Sequence, residues 1–183
     1  MTAGRESAQP RIPVSTPRKL APLSDVLSTL MIGDLLSGGA IAPRLTVTTK
    51  RQVLATVSEI AGRAYGVKSQ RVFEALLERE SQGSTGVGHG VAIPHARIAG
   101  LDRMRGVFVR VVPAVDDGAV DDDPVDLVFA LLSPLESGSD HLRALARVAR
   151  AFRAAELRGQ LRQAGGADAI RALLVRDTRS SAA

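Results

Sequence analysis

The residues of this sequence best equipped for chemistry are its three histidines, and above all His95. It closes the segment Gly83-Ser84-Thr85-Gly86-Val87-Gly88-His89-Gly90-Val91-Ala92-Ile93-Pro94-His95. Glycines at 83, 86, 88 and 90 permit positive φ and close backbone approach to a ligand. Pro94 holds Ile93 extended, so His95 is expected to end a short strand beside a loop able to aim several amide N–H groups one way. An imidazole facing a row of amides suits an anion, above all a phosphoryl group. His141 is expected about two residues after a Ser139 helix cap, where unpaired N–H groups and the dipole favour a neutral ring and an anion nearby. The chemistry would then be nucleophilic. A neutral imidazole nitrogen attacks phosphorus, and the remaining task is to neutralise the equatorial oxygens. Arg79 offers a bidentate guanidinium for that task, Ser84 and Thr85 offer hydroxyl donors, and Gly88, His89 and Gly90 the loop backbone.

Each assignment has a duller competitor. His95 after Ile-Pro could be a satisfied edge residue, His141 an ordinary helix-start residue, and Arg79 a solvated side chain. His89 and His95 could be metal ligands, but no carboxylate or thiolate stands with them at typical spacing. The Gly-x-Gly-x-Gly run alone is weak and lacks dinucleotide-binding spacing. Arg143, Arg147, Arg150 and Arg153 share a helix face, which usually means solvent.

The elements that must position these residues follow from periodicity. Residues 40–47 are expected as a strand confined to an edge by Pro43. A helix capped by Thr48 or Thr49 runs to about Ala64, with Val53, Leu54, Val57, Ile60 and Ala61 on one face and Gly66 as its stop. A second spans about Ser69 to Glu80, with Val72, Phe73, Leu76 and Leu77 inward and Arg79 in its last turn. Gly106–Val112 and Val125–Leu132 are expected strands, the second buried on both faces, joined by an acidic loop over 113–123. A long helix is expected from Ser137 to about Glu156, with Leu142, Leu145, Val148, Ala149 and Phe152 as its stripe. One or two more helices cover 157–164 and 167–175, on either side of Gly165-Gly166. Alternating strands and helices predict an α/β, three-layer sandwich with a mixed β-sheet flanked by helices.

Composition narrows the partners. The chain has 183 residues and no cysteine, which excludes disulfides and thiolate metal sites and fits the cytoplasm. The first nineteen residues have no apolar stretch of the secretory kind, and no apolar run approaches the roughly 20 residues that span a bilayer. The net charge of +5 is divided, with nine Arg over 143–179 and six Asp over 116–126. That argues against a coherent nucleic-acid-binding face. Residues 1–30, with Pro10, Pro13, Pro17 and Pro22, are expected to be disordered apart from a helical turn within 23–30. The domain proper is expected over 31–176 and a loose tail over 177–183. Met31 is an alternative translation start.

Taken together, Leu77-Glu78-Arg79-Glu80, Gly83-Ser84-Thr85-Gly86-Val87-Gly88 and Gly90-Val91-Ala92-Ile93-Pro94-His95 resemble the enzyme IIA domain of the fructose/mannitol class of the bacterial phosphotransferase system, most of all its nitrogen-regulatory type. Ile32-Gly33-Asp34-Leu35-Leu36, Pro124–Leu132 and His141-Leu142 extend the resemblance in order over about 31–176. The resemblance implies the phosphotransferase/anion-transport-protein-like fold, and His95 as acceptor of a phosphoryl group from a histidine phosphocarrier protein, itself charged from phosphoenolpyruvate by enzyme I. It implies that Arg79 and His141 stabilise that group, that no metal or organic cofactor takes part, and that the recipient is a downstream regulatory target or a IIB domain. The isolated domain layout favours regulation over the alternative, a sugar-specific IIA component feeding a IIB/IIC permease. A binding module without phosphorylation, a metal-dependent hydrolase and a homodimer are further readings. His89 stands where the family commonly has Asn, and Ala96-Arg97 is a further departure.

Overall fold

The structure, a computed structural model, describes residues 32–119 and 121–180. The expected disordered extension, the helical turn within 23–30 and the Met31 start lie outside the described residues. Two 3₁₀ turns, Ile32–Leu35 and Gly38–Ala40, lead into strand β1 (Ile41–Leu45). Helices α1 (Lys50–Tyr65) and α2 (Ser69–Ser81) follow. Thr49 caps α1 with a reciprocal capping box through Gln52, and Gly66 ends it at φ 71°, a left-handed conformation that costs glycine little. The glycine-rich segment becomes three short strands, β2 (Gly86–Gly88), β3 (Val91–Ala92) and β4 (His95–Arg97). The long strands β5 (Arg105–Val115) and β6 (Val125–Ser133) come next. Three helices close the chain: α3 (Asp140–Arg153), α4 (Ala155–Gln163) and α5 (Ala167–Ser180).

The sheet is mixed, in the order β1-β5-β6-β3-β2, with β4 also on β6. β5 and β6 are antiparallel through Phe108↔Phe129 and Val109↔Val128. β3 and β4 run parallel to β6 on the same side of it, through Val91↔Leu127 and His95↔Leu131. They are one extended segment interrupted at Ile93-Pro94, because a proline has no N–H to give the ladder.

Alternation along β6 assigns the layers. Val128, Ala130 and Leu132 pack against Val53, Leu54 and Val57 of α1 and Val72 and Leu76 of α2. Leu127, Phe129 and Leu131 pack against Val148 and Phe152 of α3, Leu157 and Leu161 of α4, and Ile170 and Leu174 of α5. The expected three-layer α/β sandwich is the observed one.

Several boundaries differ from expectation. The expected long helix breaks at Ala154, whose φ −67° and ψ 113° are extended, so Glu156 belongs to α4. β5 runs on to Val115 through Pro113, past a register shift after Arg110. α5 continues to Ser180, into the stretch expected as a tail. The inward stripe of α3 is rotated: Leu142 is 65% exposed and His141 only 7%. His141 turns inward because it has a buried polar partner, described below.

Candidate active site

His95 opens β4 rather than ending a strand. Its strand neighbour Ala96 and that residue's register partner Leu132 pack on the face covered by α1 and α2. His95 pairs with Leu131 of the opposite face, so its ring projects toward α3. Among the described residues no further strand lies beyond β4 at this end of β6, and Arg79, in the last turn of α2, reaches round the open edge. Its Nε donates to His95 Nε2 at 3.1 Å, and its Nη1 to the Gly83 carbonyl at 3.0 Å.

The other ring nitrogen fixes the tautomer. Nδ1 of His95 lies 2.9 Å from the Ile93 carbonyl oxygen, which can only accept, so Nδ1 carries the proton and Nε2 the lone pair. Burial pushes the His95 pKa below 6.5; the Ile93 bond acts against this and the neighbouring Arg79 cation with it. A half-buried, neutral imidazole results, with its lone pair toward a guanidinium.

His141 comes from the first turn of α3. Its ring centroid lies 5.4 Å from that of His95, at an interplanar angle of 49°. Ser139 sits at the expected cap position, but its side chain makes no capping bond. His141 Nδ1 is 2.6 Å from the hydroxyl of Ser133 at the end of β6. Burial, then repulsion from a protonated His95 and from Arg97, push its pKa down from 6.5 to about 4, so it too is neutral near pH 7.

The remaining expected residues divide. Ser84 and Thr85 lie close in the chain to Gly83, and the Thr85 carbonyl accepts from Ile93 N at 2.9 Å. Their hydroxyls point elsewhere: Ser84 donates to Asp117, and Thr85 to Glu80 at 2.7 Å. Glu80 also accepts the Thr85 amide at 2.8 Å and pairs with Lys50 at 2.5 Å. Lys50 Nζ donates to the Asp117 carbonyl at 2.6 Å. This network, which sequence reading missed, braces the loop behind Arg79. Lys50, Glu80 and Asp117 are 67 positions apart at the extremes, and nothing in local spacing signals their meeting.

Gly88, His89 and Gly90 are not brought to His95. Gly88 ends β2, and His89 and Gly90 make the β2–β3 turn, with φ 58° and 76°, at the far end of β6. Between the pairs Val91↔Leu127 and His95↔Leu131 the strand rises about 13 Å, at ~3.3 Å per residue. The His89 amide donates to Asp121 at 2.7 Å, and the His89 carbonyl accepts from Arg162 at 2.8 Å. The backbone amide and carbonyl of His89 are therefore bound within the protein, and the glycines serve a hairpin. His89 and His95, weighed as metal ligands, are held apart by β3, one in the turn before it and the other at the start of β4. Among the described residues, no helix is long and apolar enough to cross a membrane.

Comparison with known proteins agrees with this architecture. Residues 34–176 match the family described as phosphoenolpyruvate-dependent sugar phosphotransferase system, EIIA 2. The chain is 43% identical over 143 residues to a nitrogen regulatory protein of Bradyrhizobium diazoefficiens, covering 78% of this chain and 94% of that one. It superposes on the crystal structure of nitrogen regulatory protein IIA-Ntr from Neisseria meningitidis with a TM-score of 0.74 at 36% identity, over 78% of this chain and 98% of that one. The IIA mannitol structure from Escherichia coli shares the fold at a TM-score of 0.64 and 20% identity, over 75% and 97% of the two chains.

Proposed function

Because this chain belongs to the EIIA 2 family of the phosphoenolpyruvate-dependent phosphotransferase system, we propose that it is a phosphohistidine carrier of the nitrogen-regulatory type, phosphorylated on Nε2 of His95. The observation that carries this reading is the His95 tautomer: Nδ1 is committed to the Ile93 carbonyl, and Nε2 is left as the nucleophile beside Arg79. The lone pair of Nε2 forms a bond to phosphorus as the P–N bond of a phosphorylated histidine carrier breaks. That bond's electron pair stays with the donor imidazole. The positive charge gained by the His95 ring is spread toward Nδ1–H and steadied by the Ile93 carbonyl. Arg79 exchanges its hydrogen bond to Nε2 for bonds to the phosphoryl oxygens, and His141 approaches them from the opposite side.

Residues 31–176 form the phosphoacceptor domain in this reading, working in the cytoplasm. Nitrogen regulatory proteins among the relatives support a regulatory recipient over a IIB domain. Ser84 and Thr85 brace the loop, and no part is assigned to Gly88, His89 or Gly90. The test is incubation with phosphoenolpyruvate, enzyme I and a histidine phosphocarrier. The expected product is an acid-labile, base-stable label, absent from His95→Ala and assigned to Nε2 by NMR. Arg79→Ala should slow labelling by about a hundredfold, the effect of removing one preorganised charge-stabilising donor, while leaving the thermal midpoint near wild type. No label on the wild type would refute the carrier reading.

A further inference from the structure

We propose that Ser133 is a positioning residue for phosphoryl transfer: its buried hydroxyl donates to His141 Nδ1 and so presents His141 Nε2–H to the group on His95. The proposal rests on the reading of His95 as phosphoryl acceptor, and it concerns a residue that no motif of the sequence marks.

Ser133 is the last residue of β6, follows the apolar run Leu127–Leu132, and is fully buried, at 0% exposure. A hydroxyl there costs desolvation unless it is paired. Its backbone is held firmly, since the Ser133 carbonyl accepts from Ile98 N at 2.8 Å and the residue pairs with Arg97 of β4. The same strand pairing sets His95 opposite Leu131, two residues earlier on β6. Ser133 shares the face of Phe129 and Leu131, the face toward α3, and there its Oγ lies 2.6 Å from His141 Nδ1.

The direction of that bond follows from satisfiability. Among the described residues the Ser133 hydroxyl has no other side-chain bond. If Nδ1–H donated to the hydroxyl, the hydroxyl proton would be buried without an acceptor, the costlier arrangement. The hydroxyl therefore donates, Nδ1 accepts, and the neutral ring carries its proton on Nε2. Nε2 has no partner among the described residues and is not among their buried unpaired atoms, so it opens to the space beside His95. A phosphoryl group is all acceptor. An N–H facing it stabilises the transferred charge, whereas a lone pair would repel it. One buried hydroxyl thus selects the useful tautomer and holds the ring's angle.

The test uses the full chain, with ¹⁵N NMR of the imidazoles beside single-turnover labelling by phosphorylated carrier. The wild type is expected to show His141 protonated on Nε2 and unprotonated on Nδ1; the reverse pattern overturns the proposal whatever the variants do. Ser133→Ala should mix the tautomers and slow labelling about fivefold, the rate equivalent of one net hydrogen bond. Ser133→Thr should restore both. In a His141→Ala background, Ser133→Ala should bring no further slowing, because the hydroxyl acts through that ring. Unchanged tautomer and rate in Ser133→Ala, or additive slowing in the double variant, would also overturn it. The tautomer is read on unphosphorylated protein. Failure of the wild type to take label would sink the carrier reading and leave this measurement standing.

Discussion

At the scale of single residues, the site is built from two imidazoles kept neutral by their surroundings. His141 is the more deeply affected, with a pKa of about 4 set first by burial and then by repulsion from His95 when that ring is protonated and from Arg97. The unfolded ring takes up a proton near 6.5 and the folded ring only near 4, so between those values the unfolded state binds more protons. Stability therefore rises with pH across that window and is lost as pH falls through it. Urea midpoints measured from pH 7.5 to 4.5 should decline for wild type and decline less for His141→Gln, which has no proton to gain. Equal slopes would mean that His141 is solvated. His95 is also depressed by burial, so labelling should fall off at a lower pH than that of a free imidazole titrating at 6.5.

At the scale of elements, the question is what holds Arg79 against a histidine on another layer. Its anchor is the turn from α2 into β2, where the neighbouring Glu80 accepts both the amide and the hydroxyl of Thr85 and pairs with Lys50 at the start of α1. Breaking such a mostly buried pair leaves a charge without its partner. Glu80→Gln should cost about 2–3 kcal/mol in chemical denaturation, and should slow phosphoryl uptake because the Gly83 carbonyl loses its fixed place under Arg79. Glu78→Gln, on the exposed side of the same helix, should fall within about 0.5 kcal/mol of wild type. If the two variants behave alike, the turn is not held by this network. Helices α1 and α2 were legible from periodicity, and a cap at Thr48 or Thr49, the stop at Gly66 and the place of Arg79 were each read by local rules. The short strand before His95 was expected and is β3, but β2 and β4 were not, since three residues bounded by glycine or proline carry no period.

At the scale of the whole molecule, both histidines depend on one sheet holding two helical layers apart. Phe129 is central to that, fully buried, over Gly106 of β5 and 5.9 Å from the ring of Phe152 on α3. A Cβ on Gly106 would sit 2.7 Å from the Phe129 ring, so the strand carries a glycine where the ring needs its floor. Phe129→Ala should cost about 3–5 kcal/mol in urea unfolding, a large share of a domain's stability. A loss under about 1 kcal/mol would show that the layers do not depend on this contact.

The sequence by itself determined the layered α/β class and the order of its long elements, and it singled out Arg79, His95 and His141, which the structure brings together. Each of those signals is local: a hydrophobic period, a cap, a proline before a histidine. Only the tertiary structure decided which candidates meet. It separated Gly88, His89 and Gly90 from His95 along one strand, turned the hydroxyls of Ser84 and Thr85 to internal carboxylates, and set Ser133 against His141. Those outcomes depend on strand register and on hydrogen-bond partners distant in sequence, and local spacing holds no information about either.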